Sequence, residues 1–183
     1  SNGNLTISNG NSDNSILGSI AFGNGKYYYE AKCTGATTYA NIGVTLSSKD
    51  GGVHSGVDSG RVMYSSNGNV YREGLSQGNT NTGTTFTTND IIGAAFDTEN
   101  GTLKFYKNGT LINTTTDNDF LYSNNEYIPA FGLNQGGFHV NFGNGFFGTD
   151  AISSAGTNAL GLGIFEYDVP TGYTALCTKG LNK

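Results

Sequence analysis

Catalysis on this chain would have to come from its carboxylates, its two histidines or its two cysteines, and their spacing speaks against each. Hydrolysis of a glycosidic bond needs two carboxylates facing each other across a groove, about 5 Å apart for retention and wider for inversion. A strand carrying Glu-x-Asp-x-x-Glu would supply them, and none exists. Glu30 stands alone on its strand, Asp97 and Glu99 fall in a turn, and Glu166 and Asp168 lie in the tail. His54 belongs to a polar loop and His139 alternates outward from an apolar strand, neither beside a recognisable nucleophile. The chain is therefore expected to be non-catalytic and to need no cofactor. The Thr116–Asp119 run has two carboxylates that could hold calcium through oxygen, but it lacks the central glycine and distal glutamate of an EF-hand loop, so no metal is expected. Cys33 and Cys177 show neither C-x-x-C nor zinc spacing. They either tie an early strand to the C-terminus or stay apart as small buried apolar residues.

What must position any binding residue is a set of short strands. Hydrophobic residues make up only 36% of the chain, but they include 11 Tyr and 11 Phe, whose large side chains can fill a sandwich core. Gly reaches 29 residues without a collagen period, which fits many tight turns. A length of 183 residues suits one domain with a sizeable core. Charge is sparse and sums to −5, which removes the basic surface needed to grip nucleic acid. No apolar run is long enough for membrane insertion, and no basic start followed by an apolar stretch marks a signal peptide.

The strand pattern centres on Asp90–Ile112. Asp90–Asp97 is a strand, Thr98–Gly101 a turn, and Thr102–Lys107 alternates with Leu103 and Phe105 on one face. Asn108-Gly109 then sends Thr110–Ile112 back, the strongest short-range hairpin signal. Earlier, Asn4–Ser8, Ile16–Phe22, Lys26–Thr34 and Tyr39–Leu46 are expected strands. In Lys26–Thr34, Tyr27, Tyr29, Ala31 and Cys33 share a face. Arg61–Ser65 and Val70–Glu73 flank the Ser66–Asn69 turn. Tyr127–Leu133 and Gly137–Gly143 are expected to form a hairpin around Asn134-Gln135-Gly136, with Phe146-Phe147 as an apolar plug. Asp150–Ala155 could make one helical turn, and the tail should tuck in Tyr173 and Leu176. Many short strands with no helical stripe argue an all-β, antiparallel two-sheet β-sandwich.

The motifs in this order resemble the SPRY domain, a concanavalin A-like jelly roll. They are GKYYYEAKCTG at Gly25–Gly35, NIGVTL at Asn41–Leu46, GRVMYSSNGNVYREG at Gly60–Gly74, DIIGAAFDTENGTLKFYKNG at Asp90–Gly109 and YIPAFGLNQGGFHVNFG at Tyr127–Gly143. The resemblance covers about residues 4–145 of a single domain spanning 1–183, with 146–183 as a closing segment. The ending PTGYTALCTKGLN resembles the segment that closes SPRY-like domains of bacteriophage tail and virion proteins, with Gly180 where Asn is commoner.

The resemblance implies a non-catalytic binding module that acts through loops at one end of the sandwich. Carried over residue by residue, the binding positions are Tyr71 and the Leu133-Asn134-Gln135 turn, with Arg61 and Tyr64 nearby along the chain. The chain has no Trp, so the tryptophans common in the family near the Met63-Tyr64 position are missing, and tyrosines would have to stack instead. Tyr offers a ring face and a hydroxyl, while Asn and Gln match vicinal hydroxyls, a chemistry suited to neutral saccharides. Arg61 and Arg72, the only arginines, could instead grip an acidic glycan. The implied setting is a phage tail fibre or virion surface, outside the cell once assembled and made in the host cytoplasm. Its partner would be a host-surface glycan or protein, with a homo-oligomeric parent possible. The alternative is a structural role, decorating or bridging another virion protein.

Overall fold

The computed structural model describes residues 5–9, 14–48, 60–73, 78–116 and 125–181. The strands are β1 (Leu5–Asn9), β2 (Asn14–Leu17), β3 (Lys26–Leu46), β4 (Arg61–Ser65), β5 (Asn69–Glu73), β6 (Thr80–Asn81) and β7 (Ile91–Asp97). They continue with β8 (Thr102–Lys107), β9 (Thr110–Thr116), β10 (Tyr127–Asn141), β11 (Phe146–Phe147), β12 (Asp150–Ala151) and β13 (Thr174–Ala175).

Two long bent strands, β3 and β10, pair antiparallel along nearly their whole length and belong to both layers. The first half of β3 pairs with β7, which continues through β8 to β9, while the last part of β10 pairs with β1. The second half of β3 pairs with β4, which continues through β5 to β6, while the first part of β10 pairs with β2. The result is an all-β antiparallel sandwich whose two sheets, the first carrying β4–β6 and the second carrying β7–β9, are continuous through one elbow.

At the elbow the sequence-based expectation needs correcting. Tyr127–Leu133 and the strand after Gly137 are not two arms of a hairpin but one strand, β10, carrying register shifts at Asn134/Gly136 and Gly137/Phe138. Lys26–Thr34 and Tyr39–Leu46 are likewise one strand, β3. Gln135 (φ 62°) and Gly136 (φ 109°) adopt the left-handed region, as a turn would require, but here they bend a strand between layers.

Strand alternation sorts the faces as the period of two demands. Tyr29, Ala31 and Cys33 face Ile42, Val44, Tyr64, Phe105 and Phe138 in one buried cluster. At the end away from the elbow, Phe22, Phe96 and Tyr127 close the core, with Phe96 and Tyr127 4.6 Å apart. The β8–β9 connection is the expected Asn-Gly turn, with positive φ at both Asn108 (48°) and Gly109 (79°). The Thr98–Gly101 turn has only Gly101 (58°) in that region, because Asp97 organises it from the side.

Asp97 Oδ1 accepts from the backbone N–H of Glu99 (3.0 Å) and Asn100 (3.1 Å), and Oδ2 accepts from Asn100 Nδ2 (2.8 Å) and pairs with Lys26 Nζ (3.1 Å). Burial alone would raise its carboxyl, but the Asn100 and Lys26 contacts outweigh that and hold it below the usual range. Because the folded-state value is depressed, this stabilisation is present above the ordinary carboxylate range and is lost as pH falls through it. Asp97→Ala is expected to cost about 1–3 kcal/mol near neutral pH and progressively less as pH falls below the ordinary carboxylate range, measured by urea unfolding across that range.

The C-terminal segment forms a third layer. Phe165, Val169, Tyr173 and Ala175 pack on Tyr28 and Ala95, which point away from the main core. β13 runs parallel to β3 at Tyr27–Tyr28, taking the place beside β3 that β10 leaves at Asn141. Leu176 passes through to the main core, so Tyr173 and Leu176 are both buried as expected. Asp150–Ala155 makes no helical turn: Asp150–Ala151 is β12, paired with β11 after a reversal at Gly148 (φ 64°). Ile16–Phe22 is a strand only to Leu17, and Phe22 then makes a single bridge to Tyr127. Cys33 and Cys177 are both free, one in the main core and the other against the third layer, with the sheet between them.

Candidate functional site

Strand parity separates the residues singled out from sequence. Tyr64 pairs with Ile42 and Val70 on the core face. It is fully buried, its hydroxyl donates to the Thr84 carbonyl (2.6 Å), and its ring packs 5.1 Å from Phe86 and 5.6 Å from Phe105. Burial pushes its phenol up to about 12. Leu133 is also a core residue, sharing the face of Phe131. Neither side chain can meet a ligand without unpacking the sandwich, and that expectation is corrected. Arg61 faces the other way but is only 6% exposed, at the far end of β4 from the Ser66 turn. Arg72 donates to the Gly78 carbonyl (3.0 Å) and Thr115 Oγ1 (3.2 Å), which commits its guanidinium to internal contacts.

Tyr71, Asn134 and Gln135 remain half-buried, and the structure adds neighbours to the first two. The Tyr71 hydroxyl accepts from Asn67 Nδ2 (2.8 Å) and Asn69 Nδ2 (3.3 Å), while Asn67 Oδ1 accepts from Asn69 N (3.0 Å). The Ser66–Asn69 turn is pinned to β3 by Ser66 N donating to the Ala40 carbonyl (2.8 Å) and Ala40 N donating to Ser66 Oγ (3.1 Å). Immediately beside that pin is Tyr39, 37% exposed and paired across the sheet with Asn134. By parity, Tyr39, Asn134, Asn69 and Tyr71 all belong to the outer face of the first sheet, at its elbow end.

Asn41 and Ser65 share that face and are cross-strand partners. Both are buried, yet Asn41 Oδ1 and Ser65 Oγ have no hydrogen-bond partner. Unmet polar atoms of this kind cost about 1–3 kcal/mol each. Tyr39, Asn41, Ser65 and Asn67 were not singled out from sequence. The usable signal was parity: Tyr39 and Asn41 are out of phase with Ile42 and Val44, so they had to face away from the core.

Among the described residues the remaining polar groups form no catalytic pair. Glu30 is wholly buried under the third layer, and Lys26 bridges Asp97 and Glu99. A cavity of about 200 Å³ opens at the end away from the elbow, lined by Lys26, Tyr27, Glu99, Leu160 and Thr174. Its two charged groups already pair with each other. Among the described residues no cluster of His, Cys, Asp and Glu is placed to hold a metal, and no helix is long and apolar enough to cross a membrane. His54 and the carboxylates of Thr116–Asp119 lie outside the described residues.

An antiparallel sandwich bent through two shared strands, with an Asn- and Tyr-rich cluster at one end, defines a β-sandwich binding module. The sequence matches the SPRY domain family over residues 26–145, and the chain belongs to that family of non-catalytic protein-interaction modules. The match ends before the third layer. Among solved structures it is similar to the SPRY domain of human HERC1, with 20% identity, a TM-score of 0.59, and coverage of 76% of this chain and 87% of that one. It is also similar to a second human SPRY domain, with 18% identity, a TM-score of 0.56, and coverage of 75% and 96%. No curated protein sequence matches the chain.

Proposed function

We propose that the elbow end of the first sheet is the ligand-binding surface, and that it recognises a neutral saccharide on a host surface as part of a bacteriophage structural protein. The observation that carries this reading is the grouping of Tyr39 and Tyr71 with Asn67, Asn69 and Asn134 around the unpartnered polar atoms of Asn41 and Ser65. Half-buried tyrosines give ring faces for the apolar side of a sugar, and amides supply paired donors and acceptors for its hydroxyls. The phage setting is supported by the Asn-, Thr- and Gly-rich composition and by the resemblance of the tail PTGYTALCTKGLN to segments that close phage SPRY-like domains. In that setting the module sits on the virion surface, in a tail fibre or a decoration protein.

A glycan array and a whole-cell binding assay with the full chain test this. Saturable binding is expected, weakened at least about tenfold by each of Tyr39→Ala, Tyr71→Ala and Asn134→Ala, equivalent to about 1.4 kcal/mol per site. Binding untouched by all three would remove the site. Absence of saccharide binding, with saturable binding to a purified virion protein instead, would favour the structural reading.

A further inference from the structure

The cavity of about 200 Å³ lies where the start of β3 meets the C-terminal segment. Asn24, Lys26 and Tyr27 line it from β3 and the corner before it, Glu99 from the β7–β8 turn, and Leu160 and Thr174 from the C-terminal segment. Leu160 and Thr174 lie beyond residues 26–145, so the site is not contained in the part of the chain that the family match covers. The mouth is open at Gly172, where an added Cβ would meet nothing within 4 Å. The volume is below the about 300–1,000 Å³ of a pocket for a drug-sized molecule, and it suits one group the size of a side chain.

The charges at this cavity do not cancel. Lys26 Nζ sits 3.1 Å from Asp97 Oδ2, in a carboxylate that is nearly buried, and 3.6 Å from Glu99 Oε2. The lysine charge is therefore spent chiefly on Asp97. Glu99 has a side chain 61% exposed and keeps the longer contact, which contributes little in that setting. One ammonium against two carboxylates leaves a net charge of −1, and the whole chain carries −5. Both favour a cationic ligand. The carboxylate is also well placed to receive one, because Asp97 Oδ1 accepts from Glu99 N (3.0 Å) and fixes the turn that carries it.

The uncharged walls narrow the class. Leu160, 44% exposed, forms with Tyr27 an apolar wall along which a hydrocarbon stem can lie. The Tyr27 hydroxyl donates to the Asn24 carbonyl (2.7 Å), which holds that wall in place. Asn24 is exposed at the rim, and Thr174, only 6% exposed, has a hydroxyl with no hydrogen-bond partner. An ammonium on an apolar stem matches this combination of one carboxylate, neutral polar groups and a leucine. A guanidinium fits worse, because its planar fork needs both oxygens of a carboxylate and Glu99 shares one with Lys26. We propose that this cavity is a docking site, separate from the elbow surface, for a lysine side chain of a basic protein partner. The stem lies against Leu160 and Tyr27, and the ammonium rests on Glu99.

Titration of the isotope-labelled full chain with a blocked Gly-Lys-Gly peptide, followed by amide chemical shifts, tests this. Saturable shifts are expected at Gly25, Lys26, Glu99 and Thr174. The same peptide with norleucine for lysine keeps the stem without the ammonium, and it should produce none. Glu99→Gln should weaken binding roughly three- to fivefold, the range of a partly exposed charge contact, and raised salt should act in the same direction. Asp150→Asn removes another exposed carboxylate and should leave binding unchanged. Equal weakening by Asp150→Asn would reduce the effect to diffuse attraction and overturn the proposal. An equal response to the norleucine peptide, no saturable shift at the cavity, or saturation there by glucosamine but not by the lysine peptide would overturn it as well.

Discussion

Replacing Gly136 with alanine is expected to destabilise the domain by more than about 3 kcal/mol. Two costs combine there. The backbone sits at φ 109°, where an L side chain is strained. A methyl group at this position would also lie 1.9 Å from the Gly35 carbonyl oxygen on the facing turn of β3, and a backbone carbonyl cannot swing away as a side chain can. Relief would require the two bent strands to separate at the elbow, where both layers are joined. Gly172 provides the control, because it has a similar φ of 87° but nothing near its added methyl. Gly172→Ala should therefore cost only the conformational part, about 1 kcal/mol. Urea midpoints for the two variants test the account, and equal losses would show that the elbow has room to yield.

Tyr64→Ala should lower stability by about 3–5 kcal/mol, whereas Tyr71→Ala should lower it by no more than about 1 kcal/mol. The two tyrosines lie on neighbouring strands of the same sheet, one residue out of phase. Tyr64 fills the core between Phe86 and Phe105 and donates to the Thr84 carbonyl, so its removal leaves a cavity and loses that hydrogen bond. Tyr71 is half-buried, and its hydroxyl contacts are to Asn67 and Asn69 in an exposed turn, whose amides can turn to water. Saccharide titration of the folded variants should reverse the order, with Tyr71→Ala losing binding and Tyr64→Ala retaining it. Comparable stability losses from both substitutions would make Tyr71 a packing residue and remove it from the proposed surface.

The sandwich class, the central meander and the sides of most strands were legible before any coordinates. Alternation in KYYYEAKCT assigned Tyr27, Tyr29, Ala31 and Cys33 to one face, and they occupy it. Asn108-Gly109 specified its turn because few other pairs accept positive φ at both positions. The same logic misled at Asn134-Gln135-Gly136. A hairpin tip and a bulged elbow both use residues tolerant of positive φ, and only the hydrogen-bonding partners on either side distinguish them. Those partners, β1, β2 and the two halves of β3, are distant in sequence. Tyr64 and Leu133 were misassigned for a different reason: resemblance transfers a position, whereas burial depends on phase within the strand.

The sequence by itself determined which side chains point together, because side-chain direction alternates along a strand whatever its neighbours are. It also determined the lack of a paired-carboxylate motif and the supply of tyrosines and amides. Tertiary structure alone decided that β3 and β10 cross between layers and that Tyr39 stands beside the Tyr71 turn. It also decided that Glu30, a lone acid in a strand, lies beneath the tail and grips its backbone. Each of these depends on a contact between segments far apart in the chain, and such contacts are chosen by the packing of the whole rather than by any local run of residues.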